Sequence, residues 1–525
     1  MKKSNKLNFV IILFLFLSVV YPLLCMLFRV DWSTFTKLID SIQFKTALTN
    51  SVFVSIISTF FSVLIAFVLA YTLNRTKIKH RQFLKILLTI PMLIPSISHG
   101  IGLINLFGKN GIFTNIFSFN LIGPIGIIIG SILYSFPIAF LMIDNGFKYI
   151  DNNMYSVADV IGMNRVEKFK KITLVYLKKP IFSAIFAVFT MVFTDYGLPL
   201  TVGGMYTTLP VFLYKEVIGL LDFSKGTMIG LFLLIPAIIS FLFDTFTKDN
   251  TDISNHTEYI MKKDDLLHIV FKFLTYCVII FVFIIIFSFV YYAFLDDFIL
   301  NKTFSLKHFN YIFNNNITKN LFNSLIIAIF TSIIGTIISY TIAYHTARKR
   351  NFGHKVMHFI TISTLAVPGI VLGLSFIFGF KSTIIYNTFL ILILVNIIHF
   401  ISSPYLIAYN ALKKINLNYE IVAATCNIRT ISVIKDVIIP CTKTTIREMF
   451  SYFFVNSMIT ISAVAFLYST KTMPLSLLIS QYEGNLMLEE CAIISLIILI
   501  INLIVKTTVY LLNRKDFRRV NNANI

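Results

Sequence analysis

Two short stretches begin with the same Asn-Ser pair, NSVFVSII at residues 50–57 and NSLIIAIF at residues 323–330. At the same distance after each comes a second matching pair, AYTLNR at 70–75 and AYHTAR at 343–348. A third pair, IPSISHG at 94–100 and VPGIVLG at 367–373, keeps this register. Polar residues, prolines and glycines therefore recur at one constant spacing, which predicts an internal repeat with one copy in each half of the chain.

The composition places both copies in a membrane. Hydrophobic residues make up 57% of the 525 residues, charged residues only 13%, and the mean hydropathy is +0.82. A helix needs about 20 apolar residues to cross a bilayer, and no strand-like alternation is present. An all-α polytopic membrane protein with about twelve spans is predicted. The apolar runs are 9–28, 51–72, 83–107, 121–142, 180–202, 227–247, 266–295, 321–344, 356–380, 386–408, 446–468 and 489–513.

The net charge of +21 is a topology signal. Basic residues are concentrated before the first run, after the last, and in alternate loops, whereas the intervening loops contain few. The sparse basic residues of those loops are Lys109, Lys215, Lys225, Lys381 and Lys471. This positive-inside pattern predicts a multi-pass protein of the plasma (inner) membrane with both termini in the cytoplasm. The charge orients the protein in the bilayer, and a nucleic-acid partner is not predicted.

The repeat predicts two halves with the same orientation. Residues 1–247 and 266–525 contain six runs each, an even number, and the polar residues 248–265 join them as a predicted cytoplasmic linker. This is a parallel repeat, which places a pathway at the interface of the halves and indicates a transporter. Pro95 and Pro368 recur in mid-span, and such breaks are tolerated where they line a cavity or form a hinge. The alternative is a kink accommodated by packing.

Each half also contains a charged loop that cannot cross a membrane. These loops read YSVADVIGMNRVEKFKKITLV at 155–175 and YEIVAATCNIRTISVIKDVIIP at 419–440. The aligned pairs are Tyr155 with Glu420, Ala158 with Ala423, Gly162 with Asn427 and Val175 with Pro440. Glycine and asparagine tolerate a left-handed turn. Each loop is therefore predicted to form a short helix, a break with positive φ, and a second helix along the membrane surface.

The pair of loops resembles the EAA loops of permeases from binding-protein-dependent ABC importers. That pattern is roughly E-A-A, three residues, G, and about a dozen residues to L-P. The first loop has Ser156 and Val157 in place of E-A and lacks the proline, and the second has Asn427 in place of glycine. The resemblance implies the type I ABC importer permease fold. It also implies two partners, a cytosolic ABC ATPase in two copies and an external substrate-binding protein.

In that family the loop docks into a groove of the ATPase. The coupling residues that the resemblance implies here are Tyr155, Ala158, Asp159, Gly162, Glu420, Ala423, Ala424, Asn427 and Pro440. The helices 155–161 and 420–426 are expected to act as levers. The small side chains of Ala158 and Ala423 are expected to let these levers approach the groove closely.

The chain is not predicted to be an enzyme. GLINLFGKN at 102–110 lacks the spacing and the Ser or Thr of a phosphate-binding loop, so ATP hydrolysis is assigned to the separate ATPase. The five cysteines lack metal-binding spacing and the nine histidines are scattered, so neither a metal nor a cofactor is predicted. A secondary transporter of the major facilitator type is the alternative. It is disfavoured because the deep helices contain almost no ionisable residue except Asp195.

The substrate is predicted from further resemblances. TDYGLPLTVGGM at 194–205 and SYFFVNSMITISAVAFLYS at 451–469 are similar to fused permeases for 2-aminoethylphosphonate, with ferric-iron or thiamine permeases as alternatives. The predicted pathway residues are Pro95, Thr194, Asp195, Pro368, Asn456, Ser457, Thr460 and Ser462. Asp195 is expected either to meet the substrate's ammonium group or to hydrogen-bond the turn made by Gly197 and Pro199.

Overall fold

The computed structural model describes residues 2–109, 111–113, 121–246, 266–297, 301–315, 317–348 and 352–523. The predicted linker 248–265 lies outside these residues. The helices of the first half are α1 (Lys2–Leu15), α2 (Tyr21–Leu27), α3 (Trp32–Asp40), α4 (Ile42–Arg75), α5 (Arg81–Leu88), α6 (Ser96–Phe107), α7 (Pro124–Phe147), α8 (Asn152–Val160), α9 (Arg165–Lys168), α10 (Leu174–Thr194), α11 (Gly197–Val202), α12 (Leu209–Tyr214) and α13 (Phe223–Phe246).

The second half repeats this order of long and short helices. They are α14 (Leu266–Ala293), α15 (Lys307–Asn314), α16 (Ile317–Arg348), α17 (Phe352–Ser363), α18 (Gly369–Phe380), α19 (Phe389–Phe400), α20 (Ser402–Lys414), α21 (Asn418–Thr425), α22 (Thr430–Val433), α23 (Ile439–Cys441), α24 (Lys443–Ile459), α25 (Leu475–Gly484) and α26 (Leu488–Ala523). A short antiparallel hairpin of β1 (Leu295–Asp297) and β2 (Asn301–Phe304), which the sequence did not predict, interrupts the helices. The protein is an all-α polytopic membrane protein apart from this hairpin.

The described part of the chain contains fewer unbroken spans than the twelve predicted. Among the described residues, eight helices are long and apolar enough to cross a membrane, and two bent helix pairs raise the total to ten. The bent pairs are α17 with α18, which meet at 115°, and α19 with α20, which meet at 54°. The predicted spans 83–107 and 446–468 are also not continuous helices. The first is divided between α5 and α6, and the second contains α24, which ends at Ile459.

Two prolines cause the equivalent breaks in the two halves. Pro95 directly precedes α6, and Pro368 directly precedes α18. A proline pushes the residue before it into extended conformations. Ile94 has φ −120° and ψ 150°, and Val367 has φ −109° and ψ 108°. The breaks predicted from the repeated prolines are therefore present in both halves.

The first membrane segment of each half packs against the other half. In the first half this segment contains α1 and α2, and in the second half it is α14. The α2 helix contacts α18, where the Cα atom of Pro22 lies 3.2 Å from the position that a side chain on Gly379 would occupy. The rings of Tyr21 and Phe380 also meet edge to face at 6.2 Å. In the other direction, α14 packs against α4 and α6 of the first half. The two halves therefore exchange their first helices and share one core.

The repeated Asn-Ser pair fastens an equivalent loop in each half. In the first half, Asn50 Nδ2 donates to the carbonyl oxygen of Thr207 at 3.0 Å. The hydroxyl of Ser51 accepts from the Leu209 N–H at 2.7 Å. Both bonds hold the start of α12 against α4.

The second half repeats this contact with closely similar geometry. Asn323 Nδ2 donates to the carbonyl oxygen of Met473 at 3.1 Å, and Ser324 Oγ accepts from the Leu475 N–H at 2.6 Å. The start of α25 is thereby held against α16. The sequence match at residues 50–51 and 323–324 therefore reflects a shared hydrogen-bonding task.

Candidate functional site

A small cavity lies where the two halves meet. Its volume is about 80 Å³. It is formed by the starts of α6 and α11, the middle of α7, the end of α19, and the end of α24 with the residues that follow. The lining residues are Ser96, Tyr134, Asp195, Tyr196, Gly197, His399, Phe400, Asn456, Ile459, Thr460, Ile461 and Ser462.

The cavity is built from equivalent positions of the repeat. The register that aligns Gly162 with Asn427 also aligns residues that line it from opposite sides. These pairs are Tyr134 with His399, Asp195 with Thr460, Tyr196 with Ile461, and Gly197 with Ser462. At these four pairs of positions the halves contribute different chemistry, and where the first half has the Asp195 carboxylate the second has the Thr460 hydroxyl.

Asp195 is the one charged side chain among the lining residues. Its Oδ2 accepts from the Leu198 N–H at 3.2 Å, and its Oδ1 accepts from the Ser96 hydroxyl at 2.7 Å. The first of these bonds joins the carboxylate to the first turn of α11. Asp195 therefore hydrogen-bonds the turn, as one of the two predictions expected, and it also lines the cavity.

A serine and a glycine meet in each half beside the cavity, in opposite order. A side chain on Gly197 would lie 2.8 Å from Ser96 Oγ, and one on Gly369 would lie 2.5 Å from Ser462 Oγ. Ser96 and Gly369 occupy equivalent positions, directly after the repeated prolines. The same close approach is thus kept with the two residue types exchanged.

The structure brings only part of the predicted pathway set to the cavity. Asp195, Asn456, Thr460 and Ser462 line it. Pro95 and Thr194 directly precede lining residues, and Ser457 directly follows one, but none of these three lines the cavity. Pro368 does not line it either, and its described role is the break before α18.

Sequence analysis missed Tyr134, Tyr196 and His399. Tyr134 and His399 are isolated polar residues in apolar helices, where a buried core residue is the usual interpretation. Their alignment across the repeat was the available signal. Within the described residues, no group of three or more His, Cys, Asp or Glu side chains has the geometry to hold a metal ion.

The two charged loops share one backbone conformation. Gly162 has φ +79° and Asn427 has φ +56°, so the positive φ predicted for both is confirmed. Each loop then forms a short helix and a π-helical turn, at Phe169–Thr173 in the first loop and Ile434–Ile438 in the second. These turns occupy equivalent positions in the register of the repeat.

The turns close through the same hydrogen bond. Met163 N donates to the carbonyl oxygen of Ala158 at 2.9 Å, and Ile428 N donates to that of Ala423 at 2.8 Å. This is the bond of a Schellman motif, which ends a helix with a left-handed residue. The side chains of Ala158 and Ala423 are buried, at 2% and 6% exposure. The small size of these alanines therefore serves packing within the chain, and the expectation that it lets the levers approach an ATPase groove stays a prediction.

Other residues occupy the exposed face of each loop helix. On α8 and the turn after it, Val157, Val160 and Ile161 are exposed, Val160 to 89%. On α21, Ile421 and Val422 are exposed. Of the predicted coupling residues, those exposed are Asp159, Gly162, Ala424, Asn427 and Pro440, whereas Tyr155 is buried and Glu420 half-buried. Each loop therefore presents an apolar face to its surroundings.

The second half matches a known family. Residues 335–517 match the binding-protein-dependent transport system inner membrane component family. Together with the polytopic all-α fold, this match supports the class of binding-protein-dependent ABC permeases. Homologues of this class are transport components rather than enzymes.

Two relatives extend over most of the chain. A putative ferric transport system permease protein of Haemophilus influenzae is 25% identical over 88% of this chain and 77% of its own length. A ferric transport system permease protein of Actinobacillus pleuropneumoniae is 24% identical over 88% of this chain and 71% of its own. A molybdate/tungstate transport system permease protein of Methanocaldococcus jannaschii is 25% identical over 44% of this chain and 91% of its own.

Proposed function

We propose that this chain is the permease subunit of an ABC importer for ferric iron, with both halves fused in one polypeptide. Two relatives named for ferric transport cover 88% of the chain, which favours the ferric alternative predicted from the sequence. The phosphonate prediction has no support among the relatives described above. The observation that carries the proposal is the charge of the cavity between the halves.

The cavity favours a cation over an oxyanion. Asp195 supplies a carboxylate, and the lining residues include neither lysine nor arginine. Two unit charges 4 Å apart interact by about 1 kcal/mol in water and by about 4 kcal/mol at the effective dielectric of a protein surface. A carboxylate therefore attracts a metal cation and repels an oxyanion such as molybdate by a comparable amount. It would also attract the ammonium group of 2-aminoethylphosphonate, so against that substrate the argument rests on the two ferric relatives. Tyr134 and His399 add polar groups that a passing cation can contact.

The loops are proposed to couple this pathway to the ATPase. Their exposed apolar faces, defined by Val157, Val160 and Ile161 in the first loop and by Ile421 and Val422 in the second, suit a protein partner rather than water. Because the turns at Gly162 and Asn427 share one backbone conformation, the two apolar faces would have the same orientation relative to their own halves. One ATPase subunit for each loop accounts for this duplication. A substrate-binding protein on the opposite side would deliver the ion.

The orientation is proposed from the distribution of basic residues. Single cysteines replacing Lys109 or Lys381 should react with a membrane-impermeant reagent on intact cells. Cysteines replacing Lys79 or Arg350 should react only after the cells are opened. The reverse pattern would refute the proposed topology, in which both termini are cytoplasmic.

Uptake of radioactive ferric iron tests the function and the role of Asp195. We expect cells that express the chain with its ATPase and binding protein to accumulate iron but not 2-aminoethylphosphonate. Asp195→Asn keeps the shape and one acceptor oxygen but removes the charge, so uptake at limiting iron should fall about tenfold or more. Thr194→Val is the matched control, because Thr194 Oγ1 bonds the Thr190 carbonyl outside the lining.

Two results would contradict these proposals. Normal uptake by Asp195→Asn would remove the carboxylate from the pathway. Accumulation of the phosphonate in place of iron would restore the first substrate prediction.

A further inference from the structure

Arg348 contacts the second loop and the residues just before it through every N–H group of its guanidinium. Arg348 Nε donates to Glu420 Oε1 at 3.0 Å, and Nη2 lies 2.7 Å from Glu420 Oε2. Nη1 donates to the carbonyl oxygens of Leu412 at 3.2 Å and Ile415 at 2.6 Å, and Nη2 donates to that of Asn416 at 3.1 Å. A guanidinium has five N–H donors, and each of them is used here.

These bonds join three elements. Arg348 is the last residue of α16, whose first turns hold α25 through Asn323 and Ser324. The three carbonyl groups belong to the end of α20 and the residues after it, and Glu420 lies in the first turn of α21. The Arg348 side chain is only 3% exposed, and that of Glu420 is 21% exposed. A single side chain therefore connects a long span to the helix of the second loop.

The equivalent arginine of the first half makes a different kind of contact. The Arg75 guanidinium lies over the rings of Phe147 and Tyr155, 5.2 Å and 4.8 Å from their centres. Its Nη2 donates to the Tyr155 hydroxyl at 3.3 Å. Tyr155 is the residue that aligns with Glu420. The repeat thus keeps an arginine next to each loop helix, paired with the Glu420 carboxylate in the second half and lying over aromatic rings in the first.

We propose that Arg348 is the positioning residue of the second coupling loop, and that it ties this loop to its span more rigidly than Arg75 ties the first. The proposal rests on the proposed coupling function only in its consequence for transport. A bidentate ion pair with three further bonds to carbonyl groups fixes distance and direction together. A cation above a ring face is attracted over a broader range of positions. Movement of α16 should therefore displace α21 more directly than movement of α4 displaces α8.

Substitution by lysine distinguishes the contacts of Arg348 from those of Arg75. The lysine ammonium is a point charge with three donors, so it cannot reproduce a planar fork that serves five acceptors. It can still lie over an aromatic ring. Arg348→Lys should therefore release the second loop, and Arg75→Lys should leave the first loop largely in place.

The repeat also supplies matched positions for a probe. Cys426 is an exposed native cysteine at the end of α21, and Ile161 is the equivalent and exposed residue after α8. One protein keeps Cys426 as its only cysteine, with the other four replaced by alanine. A second protein carries Ile161→Cys and has all five native cysteines replaced. A nitroxide on each reports loop mobility in the purified permease alone.

We expect Arg348→Lys to convert much of the Cys426 signal to a mobile component. The loss of one hydrogen bond to a charged group already corresponds to roughly a tenfold change in an equilibrium. The signal at Ile161→Cys should stay unchanged, which excludes general unfolding. Glu420→Gln leaves the three bonds from Arg348 to carbonyl groups in place, so it should convert a smaller part of the Cys426 signal to the mobile component. It is the test variant if Arg348→Lys does not fold.

The proposal is overturned if neither variant mobilises the label at Cys426, or if Arg75→Lys mobilises its own loop equally. Both measurements omit the ATPase, so they are independent of whether the chain is a ferric permease. In the complete transporter, Arg348→Lys should raise the ATP hydrolysed per ion transported, and Arg75→Lys should not. Absence of transport by the unaltered protein would instead contradict the proposed function.

Discussion

The turn at Gly162 allows a test in which backbone conformation is separated from packing. Gly162 has φ +79°, and a Cβ atom placed there meets no other heavy atom within 4 Å. Alanine therefore introduces no clash, and its penalty is that of a left-handed conformation alone, about 1–2 kcal/mol. That corresponds to a factor of roughly 5–30 in the population of the correct turn. Valine is worse, because a β-branched residue with positive φ is a genuine outlier.

The assay is co-purification of the ATPase, together with uptake, for a series of variants. We expect both to decrease from Gly162 to Gly162→Ala to Gly162→Val while the protein remains in the membrane. Gly219→Ala is the matched control, because a Cβ atom there also meets nothing within 4 Å but φ is not positive. Asn427→Gly should be tolerated, since glycine adopts this turn more freely. Full association and full uptake by Gly162→Val would show that the turn does not aim a coupling element.

Three further predictions concern packing, pH and lipid. Gly373→Ala should lower the melting temperature in detergent, because its Cβ atom would lie 2.7 Å from a backbone oxygen, and overpacking costs about 1–3 kcal/mol. Gly230→Ala, with its nearest atom at 3.7 Å, should not, and equal melting temperatures would contradict the packing argument. Burial lowers the pKa of His308, but hydrogen bonds to Glu490 and to a backbone carbonyl outweigh it, so this pKa is raised. The contribution of this contact is therefore complete below about pH 6.5 and lost as the pH rises through the raised value; thermal melts should show this loss in the unaltered protein and a flat profile in His308→Gln. Trp32, the single tryptophan, is 73% exposed at the start of an amphipathic helix, so lipids brominated near the headgroup should quench its fluorescence more than lipids brominated near the chain ends.

The repeat allowed a large part of this structure to be predicted. Matching prolines indicated the breaks before α6 and α18, and matching Gly162 and Asn427 indicated two turns with positive φ. These features follow from the backbone preferences of proline, glycine and asparagine, which are local and can therefore be read from the sequence. The Asn-Ser pairs were recognised as a repeat, although their partners, distant loops, were not predictable.

The sequence was less informative where tertiary packing determines which residues meet. A small residue such as Ala158 is required by any close contact, and its position in a helix of nine residues does not reveal which neighbour it touches. The apolar run 446–468 looks continuous, but α24 ends at Ile459 and the three residues after it line the cavity. His399 was overlooked because hydropathy averages hide one polar residue among many apolar ones.

The exchange of first helices has a consequence for the biogenesis of the protein. The α2 helix leaves the ribosome long before α18, its packing partner, has been synthesised. During that interval the surface of α2, which includes Pro22 and Tyr21, must be covered by lipid, and this requires the helix to be apolar on all sides. Because the halves are fused, α2 remains covalently linked to the second half, which contains its packing partner α18. Two separately expressed halves would have to find each other within the plane of the bilayer, so a cut between α13 and α14 should slow assembly without changing the final fold.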